Sequence, residues 1–370
     1  MKMFLCVLLL SAGINCGVAA EEWKIIRAEG RDYVSFANAA QFYRFTRFTQ
    51  ASRTVSLGDK HHGLRAQAGT SEFFINGLRF FCDFPLLVQG DDNFISAMDV
   101  SKIVEPVLRP NRIAGAGPVE TVVLDPGHGG EDSGAAGPFG SEKAYALDVA
   151  LAARAELQRA GFKVELTRTG DETVSLEQRV DFANRCSKAV FVSIHFNSAS
   201  GGSGLESYVL APSGVPSNAS SEDQAASVES HAYPGNAHDT ANIALAAAVQ
   251  GAILSRVSVF DRGVRHARFH VLREIKIPGV LVEAGFLNDP VEGTRIATSA
   301  YRQHLGAAIA QAIATYDRAV NFKANSPAIL AAAGSLPPHS QSITEPLGAA
   351  APSPAKNSQT PSVAIQMSNK

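Results

Sequence analysis

The chain has 370 residues, 45% of them hydrophobic and 18% charged, with a formal net charge of −2. This is an ordinary globular balance, with room for one large core or two domains. There is no basic bias of the kind that accompanies nucleic-acid binding, and the near-neutral charge leaves the substrate class open.

The first twenty residues have the features of an export signal. Lys2 supplies a positive start, "MFLCVLLLSAGI" a short apolar core, and "GVAA" small residues before a cleavage expected after Ala20. The apolar run is too short for a membrane span, so the mature chain is expected to be exported, periplasmic or cell-wall associated, with no transmembrane segment. "GINC" fits a lipoprotein signal poorly. Removal of the leader leaves Cys82 and Cys186. Two cysteines make no disulfide framework, and no Cys-x-x-Cys is present, so any metal must be held by histidines and carboxylates.

Residues 21–109 predict a small β-rich domain. Aromatic-rich runs in "SEFFINGLRFF" flank Asn76-Gly77, a dipeptide suited to a tight hairpin. "RTVSLGDKHHGLRAQAG" predicts further strand and turn, with His61 and His62 in a solvated turn. "ISAMDVSKIVEPVL" predicts a short helix that stops near Pro106. Residues 110–118 have the composition of a linker.

From 119 to 318 strand and helix patterns alternate. This predicts an α/β domain with a mostly parallel central sheet flanked by helices. "TVVLD", "KVELTR", "AVFVSIHF" and "GVLVEAGF" are the candidate central strands, and three of them are nearly continuous apolar runs. Ser141 precedes a helix that ends at Gly161, and Ser175 with Gln178 makes a capping-box pattern. "TANIALAAAVQGAILSRV" is helical, and Asp289-Pro290 with Glu292 opens a last helix toward Tyr316. Residues 319–370 hold seven prolines beyond residue 325, with Phe322 the sole aromatic. Such a tail cannot bury enough apolar surface to offset its ordering entropy.

His128 follows the first of these strands in "TVVLDPGHGGEDSGAAG", where turn chemistry explains the glycines and the proline but not the histidine. His195 ends "AVFVSIHF" and Glu283 lies near the end of "GVLVEAGF". In open α/β sheets chemistry collects beyond the carboxyl ends of strands. Glu142, opening the helix after the glycine-rich loop, can be returned toward His128. Two histidines and a glutamate make a zinc set with one position left for water. Asp125 is a candidate partner behind His128, and Glu283 is placed to move a proton between that water and a leaving amine. Taken singly, His128 reads as a turn residue, His195 as a satisfied buried histidine and Glu142 as a carboxylate at a helix N-terminus. A carboxylate inside "VLVEAGF" is harder to explain without a partner. The zincin signature His-Glu-x-x-His is absent.

The segment from about 120 to 316 resembles the zinc-dependent N-acetylmuramoyl-L-alanine amidases of the amidase-3 family. The resemblance rests on seven blocks in order: "VVLDPGHGGEDSGAAG", "GSEKAYAL", "LTRTGDETVSLEQRVDFAN", "VSIHFNS", "GLESYVL", "DRGVRHARFHVLR" and "PGVLVEAGFLND". It implies that His128, Glu142 and His195 bind one zinc ion and that Glu283 is the catalytic carboxylate. It also implies hydrolysis of the amide joining muramic acid to the first L-Ala of the stem peptide, with peptidoglycan as the partner. Ala146 departs from the polar residue many relatives carry, without touching the metal set. Asn197, Glu206 and Arg265 are candidate substrate contacts; strand-end hydrogen bonds and a solvated charge are the plainer assignments.

Some relatives carry a regulatory helix between "SYVL" and "TANIAL", with a glutamate that blocks zinc until an activator protein binds. In this chain Glu222, Glu229, His231 and His238 are the candidates for such a ligand, within a polar segment held at "YPGN". Residues 21–109 resemble, in pattern alone, the copper amine oxidase N-terminal domain, and with no metal motif no copper is inferred. The competing readings are a catalytically silent or autoinhibited wall-binding protein, and a zinc hydrolase of another amide.

Overall fold

The computed structural model describes residues 24–199, 201–219 and 230–322. The expected leader, the expected tail beyond Phe322, and Glu222 and Glu229 lie outside these residues.

The β-rich portion begins with β1 (Ile25–Ala28), β2 (Arg31–Ser35) and α1 (Phe36–Phe42). A meander follows: β3 (Arg47–Ala51), β4 (Thr54–Gly58), β5 (Gly63–Gln67), β6 (Glu72–Ile75) and β7 (Leu78–Phe81). Asn76 and Gly77 join the last two with φ of 53° and 84°, the left-handed pair a two-residue hairpin demands. At the expected His61-His62 turn, Asp59 Oδ1 accepts both histidine amides, at 2.6 and 2.7 Å. β8 (Leu87–Gln89) and β9 (Asp92–Ser96) complete a four-stranded antiparallel sheet in the order β1-β2-β9-β8. The next helical stretch comprises α2 (Ala97–Asp99), a π-helical segment (Val100–Val104) and α3 (Glu105–Leu108). It runs two residues past Pro106, because a proline in the first positions of a turn gives up only an N–H that the turn does not need.

The remainder supplies β10 (Thr121–Pro126), a small hairpin of β11 (Ala136–Gly137) and β12 (Gly140–Ser141), α4 (Glu142–Arg159), β13 (Lys163–Leu166) and α5 (Leu176–Asn184). Then come β14 (Ala189–Asn197), β15 (Leu205–Leu210), α6 (Asp239–Arg256), β16 (Asp261–Ala267), α7 (His270–Glu274) and β17 (Gly279–Phe286). The expected last helix is two, α8 (Pro290–Ile296) and α9 (Ser299–Val320), because Thr298 caps a fresh N-terminus and accepts from Tyr301 N. All four strands expected at the centre of the sheet are present, although β13 stands at its edge, and the Ser175–Gln178 capping box is formed.

The sheet departs from the mostly parallel expectation. It is mixed, eleven strands in the order β13-β10-β14-β17-β15-β16-β7-β6-β5-β4-β3. β13, β10, β14 and β17 are mutually parallel, as helical crossovers require. β15 is antiparallel to β17 because it follows β14 through a short loop, with no helix to return the chain to the start of the sheet. Helix α6 does return it, so β16 is parallel to β15. The β3–β7 hairpins are all antiparallel, and over the described residues antiparallel pairings outnumber parallel ones.

β7 adds to β16 at Val264↔Phe80, so the β-rich portion and the α/β portion share one sheet across residues 110–118. They also share one core. Phe73, Ile75 and Phe80 belong to the same buried cluster as Val122, Val192, Val282, Leu245 and Ile309, beneath α4, α6 and α9. Val123, Phe191, Tyr208 and Leu281 line the opposite face, which α5 and α7 cover. Both Cys82 and Cys186 are free thiols.

Candidate metal centre

β10 is buried along its whole length and ends in a tight run of glycines. Gly127 admits no side chain, since a Cβ there would lie 2.3 Å from Cε1 of His195. His128 follows with φ of 58°, a left-handed conformation that an L-residue adopts only when its surroundings impose it. Two buried arginines impose it here. Arg168 donates to the carbonyls of Pro126 (3.0 Å), Gly127 (2.7 Å) and Lys143 (2.7 Å). Arg179 donates to Pro126 O and His128 O, both at 2.7 Å, and pairs with Asp125 at 2.6 Å. The loop carbonyls therefore face fixed guanidinium donors, and the His128 ring is turned toward α4.

Three donors converge. His128, Glu142 and His195 each offer one ligand atom, all within 4.8 Å of one another. Glu142, the first residue of α4, is fully buried. Its Oε2 accepts from Ala135 N at 2.8 Å, while its Oε1 faces His195 Nδ1 at 2.8 Å and accepts from Phe196 N at 3.1 Å. His128 Nδ1 meets Asp132 Oδ2 at 2.7 Å, which leaves Nε2 pointing inward. That Nε2 lies 3.1 Å from Glu142 Oε1, is buried, and forms no hydrogen bond. The two rings stand edge to face, with centroids 5.0 Å apart. Burial alone would raise the Glu142 carboxyl, but the two imidazoles hold it well below the usual carboxylate range. Burial lowers His128, and the carboxylates of Glu142 and Asp132 outweigh it, leaving the imidazole above its ordinary value.

Glu283 lies on β17 directly beside His195 on β14, in register, and is buried. Parallel neighbours in register are about 4.8 Å apart and point to the same face. The carboxylate thus stands one strand from the donor cluster.

The other expected site residues fall differently. Asp125 does not reach His128, because its carboxylate is taken by Arg179, Thr167 (2.6 Å) and Ser193 (2.7 Å), and Asp132 stands behind the histidine instead. Burial would raise the Asp125 carboxyl, yet Arg179 and the two hydroxyls bring it below the ordinary value. Glu206 is fully buried next to Glu283, in contact with Tyr208 Oη and Arg262 Nε, and so is no rim contact. Arg265 stacks on Phe81 at 3.7 Å and donates to Asn218 O; it is Arg262 that meets Glu206. Asn197 closes β14, its Oδ1 accepting from Ser198 N at 2.7 Å. His238 bonds Lys276 O at 2.9 Å, near the start of β17 and so at the far end from Glu283, and His231 meets Tyr233 edge to face. Arg168, Arg179 and Asp132 were missed, although the first two lie in "LTRTGDETVSLEQRV" and Asp132 lies four residues after His128.

A family profile described as N-acetylmuramoyl-L-alanine amidase matches residues 122–315. The chain belongs to the amidase-3 family. The sporulation-specific N-acetylmuramoyl-L-alanine amidase of Bacillus subtilis is 34% identical to the amidase over 207 residues, 55% of this chain and 70% of its own. N-acetylmuramoyl-L-alanine amidase CwlM of Bacillus licheniformis is 35% identical over 210 residues, 56% of this chain and 72% of its own. Among solved structures, N-acetylmuramoyl-L-alanine amidase AmiC2 of Nostoc punctiforme matches with a TM-score of 0.44 and 35% identity, covering 54% of this chain and 98% of that one. The amidase is a peptidoglycan hydrolase, and the bond it cleaves is the amide between N-acetylmuramic acid and L-Ala of the stem peptide.

Proposed function

We propose that His128, Glu142 and His195 together hold one zinc ion and that Glu283 is the proton-transferring carboxylate of the amidase. The observation that carries this reading is the convergence of three donors, buried or nearly so, with a second carboxylate in register one strand away. The donor set fits the ion. Two imidazoles and one carboxylate leave a position open, as hydrolytic zinc sites require. The buried His128 Nε2 has its lone pair aimed into the cluster, and Asp132 at Nδ1 sets that tautomer.

Zinc bound there supplies Lewis acidity toward the scissile carbonyl and acidifies water. The chain does the rest. Glu283 accepts a proton from the attacking water as its oxygen bonds to the lactyl carbonyl carbon. When the carbon–nitrogen bond breaks, the same carboxyl returns the proton to the L-Ala nitrogen. Arg168 and Arg179 hold the His128 loop so that the donors do not rearrange during turnover. Site of action belongs to the same proposal: an exported enzyme meets this substrate in the wall, and no helix among the described residues is long and apolar enough to cross a membrane.

Mass spectrometry of soluble peptidoglycan fragments after incubation with the full chain tests the reading. Intact stem peptides should be released, release should stop with chelator, and added zinc should restore it. Glu283→Gln should lower turnover by about 10²-fold or more while leaving zinc content unchanged. Release that is indifferent to chelator would overturn the metal assignment.

A further inference from the structure

The β3–β7 meander buries one face only. Val55, Leu57, Leu64, Ala66, Phe73, Ile75 and Phe80 point into the core. The opposite face is open, as antiparallel sheets allow, but its residues are not a general polar mixture. Thr49, Ser56, Arg65, Phe74 and Arg79 stand in register across five strands. The Arg65 and Arg79 guanidiniums lie 5.3 and 5.6 Å from the Phe74 ring, and Arg79 is also 5.1 Å from Phe260, which is 56% exposed. Arg47 joins them along a depression of about 410 Å³ lined by Arg47, Thr49, Ser56, Arg65 and Phe74. Glu72 faces Arg79 at 3.4 Å, whereas neither Arg47 nor Arg65 forms an ion pair among the described residues. A chain of net charge −2 thus places two arginines without ion pairs, a third paired with Glu72, and aromatic rings on one exposed face.

At its β7 edge the surface adjoins Phe260 through Arg79. Two residues beyond Phe260, Arg262 contacts Glu206 and lies 5.0 Å over Phe286. Glu206 is the register partner of Glu283. From β3 to β7 the open face extends roughly 19 Å, at about 4.8 Å per strand. Arginine matches carboxylates with paired donors, and aromatic faces offer apolar area to the C–H faces of sugar rings.

We propose that this open face docks intact peptidoglycan, taking stem-peptide carboxylates on Arg47 and Arg65 and glycan rings on Phe74 and Phe260, so that one strand of polymer lies on the meander and is held beside the α/β portion that carries Glu283. The proposal rests on the amidase reading of the donor cluster. It makes the β-rich portion a holder of the polymer, dispensable for hydrolysis of a single small fragment.

Full-length Glu283→Gln protein, which leaves the polymer intact, is mixed with purified sacculi stripped of attached polymers, and the pelleted fraction gives an apparent Kd. Adding Arg47→Gln and Arg65→Gln should weaken pelleting about 5- to 10-fold, whereas Arg47→Lys with Arg65→Lys should retain most of it. Sacculi whose carboxylates have been converted to amides should bind the unsubstituted surface as weakly as native sacculi bind the glutamine variant. In the otherwise wild-type chain, the same glutamine substitutions should leave kcat/KM on a soluble disaccharide-peptide within about twofold. Unchanged pelleting, indifference to carboxylate amidation, or equal losses on sacculi and on the soluble fragment would each overturn the proposal. So would a variant that loses binding to anionic phospholipid vesicles or DNA but not to sacculi. Failure of the amidase reading would be seen separately, as no hydrolysis of the soluble fragment by the unsubstituted chain.

Discussion

At the scale of single residues, the donor cluster depends on atoms that are absent as much as on those present. Gly127 and Gly134 both approach the donor side chains too closely for any side chain of their own; a Cβ on Gly134 would lie 2.5 Å from Glu142 Oε2 and from His128 Cδ2. The φ of Gly127 is ordinary, so alanine is excluded there by the His195 ring alone. Gly127→Ala should therefore leave the sheet intact, displace His195, and weaken zinc binding by about 10-fold or more. Chelator competition measures the affinity and circular dichroism the fold; unchanged zinc affinity would show that the ring has room to yield. Asp132 illustrates the limit of spacing arguments. Asp125 and Asp132 flank His128 at similar distances along the chain, and only the direction of the loop decides which carboxylate reaches the imidazole.

At the scale of elements, the β10 loop is held by side chains from two others, Arg168 after β13 and Arg179 in α5. Arg179 and Asp125 are an ion pair with both side chains buried, 4% and 1% exposed. Removing one partner leaves an uncompensated buried charge, so Arg179→Ala should cost about 3–5 kcal/mol of unfolding free energy. Urea unfolding of the full chain measures it, and a loss below about 1 kcal/mol would mean that Asp125 finds another partner. Arg168 and Arg179 look like ordinary surface arginines in sequence, because burial of a guanidinium is compensated by backbone carbonyls from a distant loop. The break between α8 and α9 was hidden for a similar reason. Its cap is a single threonine within an otherwise continuous helical pattern.

At the scale of the molecule, the β-rich and α/β portions meet through groups that are costly to bury. His266 Nδ1 on β16 lies 2.6 Å from Asp83 Oδ1, beside the buried carboxyl of Asp99. Asp99 Oδ1 accepts from Asp83 N at 2.6 Å, and Ser96 Oγ donates to its Oδ2 at 2.5 Å. Burial, and then the Asp83 charge, raise Asp99 well above its ordinary value of 3.8. A carboxyl raised by folding binds more protons folded than unfolded. Its contribution to stability is therefore full below the unfolded value and is lost as pH rises through the folded one. Asp99→Asn keeps the acceptor for Asp83 N and removes that loss. The thermal midpoint at pH 7 should rise by about 2–4 °C, with a smaller change below pH 4. A fall in the pH 7 midpoint would show that the ionised carboxylate stabilises the junction.

The sequence by itself determined most of the elements and the residue types brought together at the centre. Apolar runs marked β10, β14 and β17, capping residues marked α4 and α5, and the residues His128, Glu142 and His195 expected to converge do so, while Glu283 stands within β17 and not at its end. These are local signals, set by side-chain periodicity and backbone conformation. Only the tertiary structure decided that β15 reverses, that β7 extends the sheet beyond β16, and that Glu206 is buried against Arg262. Those outcomes depend on which strands become neighbours. Neighbours are chosen by the burial of whole faces, to which segments far apart in the chain contribute together.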